Sequence, residues 1–241
     1  AYEISLGLVG SEMCIRDSIW IAYNNGIGLL KWKSPIQYIK HSQNFDGMGY
    51  SGVVFENSLY IGTSRGLYKM LNWKEKLDKI GDFIKIDGIP EGTINHLSIA
   101  NGKLIICQSA ETYTIENGRA TRISDGSWYG SWLWKTADRF DKNEAFVGTY
   151  KGIERYEFNQ KTWVRKDHVK GFFESSRSME IDNKGVIWAI QGNKGLYRVQ
   201  LNEERDSAVS VVNYANKRDF EQDDFNDIFY LNNILYITTF K

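Results

Sequence analysis

Short runs of β-branched, aromatic and small residues recur along the chain at a nearly constant interval. The residues at the centres of these runs are Trp20, Tyr60, Ile105, Phe146, Trp188 and Tyr236. Successive centres are 40, 45, 41, 42 and 48 positions apart. A period of about 40–45 residues is the length of one four-stranded propeller blade, so the pattern predicts about six copies of that unit.

Turn residues divide each copy into short strands. Hairpin turns rich in Asn, Gly or Asp precede five of the runs, at Glu56-Asn57, Asn101-Gly102, 141–143, 182–185 and Asn232-Asn233. Asn and Gly tolerate the positive φ that such turns need. Glycines open a third strand at Gly66, Gly152 and Gly195. No segment has a long amphipathic helical period, so the sequence predicts an all-β fold.

The first eighteen residues lack the repeat pattern. The string AYEISLGLVGSEMCIRDS resembles the translation of an adapter and transposon end used in preparing sequencing libraries. We therefore interpret residues 1–18 as an artefact, with a native flexible segment as the alternative, and exclude them from the fold. Residues 19–241 then predict one propeller domain truncated at both ends. Its first blade lacks the innermost strand and its last blade lacks the outer pair, within an expected seven-bladed ring.

Composition indicates a soluble globular domain. The chain is 42% hydrophobic and 14% aromatic, and no apolar run approaches the roughly eighteen residues of a membrane span. Residues 19–241 carry 29 basic and 27 acidic side chains, so we expect no direct binding to nucleic acid. Cys107 is the one cysteine of this range, and its apolar neighbours predict a buried structural thiol.

Catalytic and metal-binding patterns are absent from the sequence. The three histidines, His41, His96 and His168, are far apart, and none has a partner at a zinc-ligand spacing. The acidic run 219–227 could bind calcium, but it lacks the Gly and the terminal Glu of an EF-hand loop. A solvated loop is the favoured interpretation. The sequence thus predicts no catalytic residue, no metal and no cofactor.

Two loops carry the candidate ligand-binding residues. In a propeller, the loops that precede the first strands lie on the same face as the turns between second and third strands, and ligands generally bind there. The candidates are Trp128, Tyr129, Trp132, Glu174 and Arg177. The aromatic rings could stack on a sugar, and Glu174 with Arg177 could supply directional hydrogen bonds. The structural alternatives are packing of the aromatic rings between blades and, for Glu174 and Arg177, a mutual or inter-blade salt bridge.

Two of the copies carry a family resemblance. The segments LYIGTSRGLY at 59–68 and GVIWA at 185–189, leading to Gly195-Leu196-Tyr197, resemble the two-component regulator propeller repeat, G-x-I-W-I-G-T-x-x-G-L-x-x-Y. The resemblance covers residues 19–241. Segments 107–113 and 23–26 depart from the repeat. The segment FFESSR at 172–177 is similar to one found in propellers of Bacteroidetes-type transmembrane regulators.

This resemblance implies a periplasmic, non-catalytic sensor region that binds an unknown ligand, an oligosaccharide being one option. In such proteins a triple-tyrosine domain, a membrane helix and a cytoplasmic output follow, the output being a DNA-binding domain or a histidine kinase. Ligand binding would change the placement of dimerised propellers. Two alternatives stay open at this stage: a protein-binding scaffold, and a propeller glycan hydrolase or lyase, which would place paired carboxylates or a His in the central channel.

Overall fold

The computed structural model describes residues 18–23, 26–31, 44–71, 82–126, 129–192, 194–215 and 224–240. All regular structure within these ranges is β-strand. The chain divides into two compact units, residues 1–40 and 41–241. The first unit contains one antiparallel hairpin, formed by β1 (Ser18–Tyr23) and β2 (Gly26–Lys31). The described ranges contain no helix long and apolar enough to cross a membrane.

The second unit contains four sheets of four antiparallel strands, each paired in chain order, and a final hairpin. The first two sheets are β3 (Gly49–Phe55), β4 (Ser58–Thr63), β5 (Gly66–Leu71), β6 (Ile84–Lys85), and β7 (Ile94–Ala100), β8 (Lys103–Gln108), β9 (Thr112–Glu116), β10 (Arg119–Arg122). The next two are β11 (Ser131–Ala137), β12 (Asp141–Thr149), β13 (Gly152–Phe158), β14 (Trp163–His168), and β15 (Ser178–Ile181), β16 (Ile187–Gln191), β17 (Gly195–Leu201), β18 (Ala208–Asn213). The hairpin is β19 (Asp224–Leu231) and β20 (Ile234–Phe240).

The first strands of successive sheets lie side by side: β3 contacts β7, β7 contacts β11, β11 contacts β15, and β15 contacts β19. Four-stranded meanders arranged through their first strands are the blades of a β-propeller. The predicted all-β propeller fold is therefore confirmed. The number of blades in the whole ring stays a prediction.

Local turn chemistry sets the strand boundaries as the sequence predicts. The hairpin residues Asn57, Asn101 and Asn232 have φ of 55°, 48° and 50°. The glycines that open the third strands have φ of 127° at Gly66 and 116° at both Gly152 and Gly195. Side chains other than glycine rarely adopt such angles, which explains why glycine recurs at these positions.

A buried polar side chain closes the turn between the second and third strands. Thr149 accepts the N–H of Lys151 at 3.1 Å through Oγ1 and donates to the carbonyl of Gly152 at 3.0 Å. Thr63 does the same in the first four-stranded sheet. The second such sheet lacks the Gly-Thr motif, and Gln108 Oε1 accepts the N–H of Ala110 at 2.8 Å instead. The sheets thus share a capped turn although their motifs differ.

Each pair of adjacent sheets encloses its own apolar cluster, and four such clusters fill the second unit. Between the second and third four-stranded sheets, the Trp134 ring lies 4.9 Å from Trp163 and 5.1 Å from Tyr156, measured between centroids. Cys107 is fully buried in the same cluster, and burial raises the pKa of its thiol to about 12. The prediction of a buried structural thiol is confirmed.

Two sequence predictions about loops are wrong. Residues 141–143 lie in β12 rather than in a hairpin turn, which is formed by 138–140. The register shifts there, so the Asp-Lys-Asn run forms a bulge that Asn101 contacts from the neighbouring sheet. Within the acidic run 219–227, residues 224–227 belong to β19 rather than to a loop, and 219–223 lie outside the described residues.

Candidate functional site

The turn between β12 and β13 holds the loop that precedes β15 at one edge of the sheets. The Ser176 N–H donates to the Thr149 carbonyl at 2.9 Å. A Cβ on Gly148 would lie 2.2 Å from the Ser176 carbonyl oxygen, and one on Gly152 would lie 2.5 Å from the Phe172 carbonyl oxygen. Both distances are shorter than any van der Waals contact, so this approach of two backbones requires glycine on both sides of the turn.

Trp132, at the start of β11, meets side chains from this turn and from the loop before β15. Its ring lies 4.1 Å from the Tyr150 ring between centroids, and its Nε1–H donates to Ser175 Oγ at 3.0 Å. The Arg177 guanidinium lies 5.4 Å from the centre of the indole. Two segments therefore fix the orientation of one indole ring, which is half-buried and also packs against the apolar cluster between the third and fourth four-stranded sheets.

Tyr129 belongs to an adjoining group of rings. The His168 ring lies 5.7 Å from Tyr129 and 5.5 Å from Phe173, and the latter pair is stacked at 11°. His168 Nε2 lies 2.7 Å from the Lys151 carbonyl oxygen, and the Lys151 ammonium lies 5.2 Å from the centre of the Tyr129 ring. Phe173 is 69% exposed. We call the rings of Tyr129, Trp132, Tyr150, His168 and Phe173 the aromatic platform.

Glu174 and Arg177 do not pair with each other. Glu174 Oε2 binds the Lys194 ammonium at 2.8 Å, and this hydrogen bond and charge raise the pKa of Lys194. Arg177 packs on Trp132 instead. Glu174 thus pairs within its own sheet, with Lys194 in the turn between β16 and β17, which is neither the mutual nor the inter-blade salt bridge expected from the sequence. Trp128 lies outside the described residues, and a ligand role for the other candidates stays a prediction.

The sequence analysis missed four residues of this face: Tyr150, Lys151, His168 and Phe173. Tyr150 and Lys151 occupy the two variable positions of the Gly-Thr-x-x-Gly turn, which necessarily lies on the same face as Trp132. That position in the motif was a usable signal. His168 had no such signal, because its contacts with Lys151 and Tyr129 join segments 17 and 39 positions apart, and only its stacking on Phe173 is local.

A second feature lies along the first strands, where β7, β11 and β15 meet. A cavity of about 330 Å³ is lined there by polar residues that include His96, Lys135 and Glu180. Lys135 Nζ binds Glu180 Oε1 at 2.6 Å. Burial, reinforced by the Lys135 charge, lowers the pKa of His96 to about 4, so this imidazole is neutral at physiological pH. The sequence analysis did not predict a histidine in a cavity along the first strands.

Buried charges elsewhere join neighbouring strands and sheets. The Glu144 side chain, only 4% exposed, binds Arg155 at 3.2 Å and also contacts Arg205 from the next sheet. Burial raises the pKa of Glu144, and the two guanidinium groups act in the opposite direction. No group of three or more potential metal-ligating side chains occurs among the residues whose side chains are described. The Glu144 carboxylate therefore links its own sheet, through Arg155, to the next sheet, through Arg205.

No family model and no curated protein sequence matches this chain. Among solved structures, the extracellular domain of the hybrid two-component system BT4673 from B. thetaiotaomicron superposes with a TM-score of 0.65 at 15% identity, over 92% of this chain and 33% of that one. The corresponding domain of BT3049 gives 0.53 at 15% identity, over 93% and 31%. Virginiamycin B lyase from Staphylococcus aureus gives 0.55 at 12% identity, over 81% and 64%.

These similarities agree with the resemblance noted in the sequence, and at such low identity they concern the fold. The chain spans about a third of the length of the regulator domains that it matches. Both a regulator domain and a lyase have this fold, so function must be argued from the side chains. The chain thus has the β-propeller fold seen in the extracellular domains of bacterial two-component regulators.

Proposed function

We propose that this chain is a non-catalytic, ligand-binding part of the periplasmic sensor region of a bacterial transmembrane signalling or transcriptional regulator. The ligand binds on the aromatic platform, and its binding changes the relative placement of the two propellers of a dimer. A triple-tyrosine domain, a membrane helix and a DNA-binding or kinase output belong to the same protein. The similarity to extracellular regulator domains supports the regulator assignment, and the platform supports ligand binding.

One observation carries the proposal. The ring of Trp132 is fixed by Tyr150, Ser175 and Arg177, yet it remains half-buried at the loop face. Trp132 also packs against the apolar cluster between the third and fourth sheets, but unlike Trp134, which is 1% exposed, it keeps part of its surface at the loop face. The paired rings of Trp132 and Tyr150 are held rigidly, and Tyr150 is 39% exposed, so the pair offers an apolar surface to a flat ligand at low entropic cost. A saccharide ring presents a matching apolar face.

Binding of a glycan and small-molecule panel, measured by the rise in unfolding temperature and then by calorimetry, tests the proposal. Trp132→Ala removes the stacking face, and we expect it to weaken binding by about tenfold or more, since base or ring stacking is worth about 1–3 kcal/mol. Tyr236→Ala is the control. Tyr236 is an exposed aromatic residue (48%) in β20, outside both the platform and the cavity beside His96.

Equal loss of affinity in both variants, or no loss in Trp132→Ala, would contradict a site on the platform. The regulator assignment has its own test, which is to sequence the source gene on both sides of the segment encoding 19–241. In-frame blades, a membrane helix and an output domain are expected. A gene that encodes a closed ring without an output domain would leave the scaffold alternative in place of the sensor.

The cavity beside His96 gives the lyase alternative a specific candidate residue. In a lyase, His96 beside Lys135 and Glu180 would be the general base, and its pKa of about 4 would make it a weak one at neutral pH. If the protein were a lyase, His96→Gln would abolish turnover without changing binding to the platform. For the proposed sensor, the same variant leaves ligand affinity unchanged, and no turnover is detected in either protein.

A further inference from the structure

Around the aromatic platform the negative side chains are paired with cations, whereas two of the positive side chains have no carboxylate partner. Each carboxylate of the surrounding loops has a cationic partner: Asp125 binds Arg165 at 2.6 Å, and Glu174 binds Lys194 at 2.8 Å. Lys170 is likewise neutralised by Asp206 at 3.1 Å.

Two cations on this face differ from the others. Lys151 and Arg177 have no carboxylate within 4.0 Å in the part of the chain whose side chains are described. Both are exposed, and each lies over a platform ring, at 5.2 Å from Tyr129 and 5.4 Å from Trp132 respectively. The platform therefore carries two positive charges that the neighbouring loops do not neutralise.

We propose that the ligand of the aromatic platform is an anionic glycan, bound with a sugar ring against Trp132 or Tyr150 and with carboxylate or sulfate groups at Lys151 and Arg177. This inference rests on the proposed function, and it specifies the chemical class of the ligand. A guanidinium forms bidentate hydrogen bonds with a carboxylate or sulfate. The Lys151 ammonium is a compact positive charge that donates hydrogen bonds to a carboxylate or to a sulfate.

The arrangement favours an anion over a neutral sugar for a physical reason. A neutral sugar would leave both cations where they are and gain only from stacking. An acidic sugar replaces the weak cation–π contacts of Arg177 and Lys151 by charge-assisted hydrogen bonds, which are stronger. A second cation would also select glycans with acidic groups on more than one residue, because the two rings that carry the cations come from separate parts of the platform.

The test compares acidic and neutral glycans of equal length on an array, with uronate and sulfated members as separate arms, followed by calorimetry on the best binder. The variants are Arg177→Gln, Lys151→Gln and, as the matched control, Lys161→Gln. Lys161 is exposed in the hairpin between β13 and β14, so its substitution changes the net charge equally at the opposite edge of the same sheet.

We expect acidic glycans to bind and neutral ones of the same length to bind at least tenfold more weakly. Arg177→Gln and Lys151→Gln should each lower the affinity for the acidic ligand by about tenfold, Lys161→Gln should leave it unchanged, and added salt should weaken binding. Equal binding of neutral glycans, insensitive to both substitutions but lost in Trp132→Ala, would overturn this inference and leave the proposed function. Binding to no glycan would also overturn it, and the Trp132→Ala result on other compounds then decides the proposed function separately.

Discussion

Gly148 offers a direct test of how two sheets approach each other at the loop face. Its φ is not in the left-handed region, so an alanine costs nothing in backbone conformation. The added Cβ would lie 2.2 Å from the Ser176 carbonyl oxygen, and that oxygen is backbone rather than the end of a flexible side chain. One of the two chains must therefore move, and overpacking of this kind costs about 1–3 kcal/mol. We expect Gly148→Ala to lower the free energy of unfolding by about 3 kcal/mol.

Two other glycines separate the cost of a steric clash from the cost of a left-handed backbone conformation. Gly102 has φ of 69° and nothing within 4 Å of an added Cβ, so Gly102→Ala costs only the left-handed conformation, about 1 kcal/mol. Gly152 has φ of 116° and a Cβ would lie 2.5 Å from the Phe172 carbonyl oxygen. Gly152→Ala therefore incurs both costs and should be the most destabilising of the three.

Urea unfolding, followed by tryptophan fluorescence, measures these differences in the free energy of unfolding. The dependence of that free energy on urea concentration shows whether each variant exposes the same surface area on unfolding. The same proteins are then tested for ligand binding. Gly148→Ala displaces the loop that carries Ser175 and Arg177, so it should also weaken binding to the platform, whereas Gly102→Ala should not. The reasoning is refuted if Gly148→Ala is as stable as the original protein, or if Gly102→Ala is the more damaging of the two.

Three further substitutions test the turn cap, the channel histidine and the buried charges. Thr149→Val removes a buried hydroxyl that makes two hydrogen bonds at 3.0 and 3.1 Å, and urea unfolding should show a loss of about 1–3 kcal/mol. The folded protein holds the pKa of His96 at about 4, below the ordinary 6.5. The unfolded chain then binds more protons between those values, so stability is lost as the pH falls from about 6.5 to about 4. His96→Gln should flatten that dependence in urea titrations at each pH, and an unchanged slope would contradict the assignment. Arg155→Ala removes a partner of the buried Glu144 carboxylate and should cost about 3 kcal/mol, against less than about 1 kcal/mol for the exposed Lys166→Ala. Equal costs would mean that the buried charge is not held by that pair.

The positions of the strands and turns were predictable because they depend on the backbone preferences of neighbouring residues. All six central residues lie in strands, and the six asparagine and glycine positions given above have the positive φ that their turns need. The error at 141–143 has the same origin. Asp141 Oδ1 accepts the Asn143 N–H at 2.9 Å, which is the local bond of a turn, but here it occurs inside a strand with a shifted register. Local hydrogen bonds alone do not distinguish a bulge from a hairpin.

The candidate site was predictable only in part. Trp132 and Tyr129 were identified because they lie in a loop that a propeller places on the ligand-binding face. The pairing of Glu174 was not, since its partner Lys194 is twenty positions away while Arg177 is only three away, and only the packed loop determines which cation it meets. Gln108 is a further case. Its role as a turn cap is invisible in the motif, because glutamine differs from threonine in size and reaches the same N–H groups by a different route.

The sequence by itself determined the all-β fold, the repeat of about 40–45 residues and most strand limits. These follow from side-chain alternation and from backbone angles that Gly and Asn allow, which act over a few neighbouring residues. The tertiary structure alone decided which rings form the aromatic platform and which charges near it are unpaired. Those contacts join residues up to 45 positions apart, such as Trp132 with Ser175 and Arg177. Their energy depends on how closely two sheets pack, and no local pattern encodes that distance.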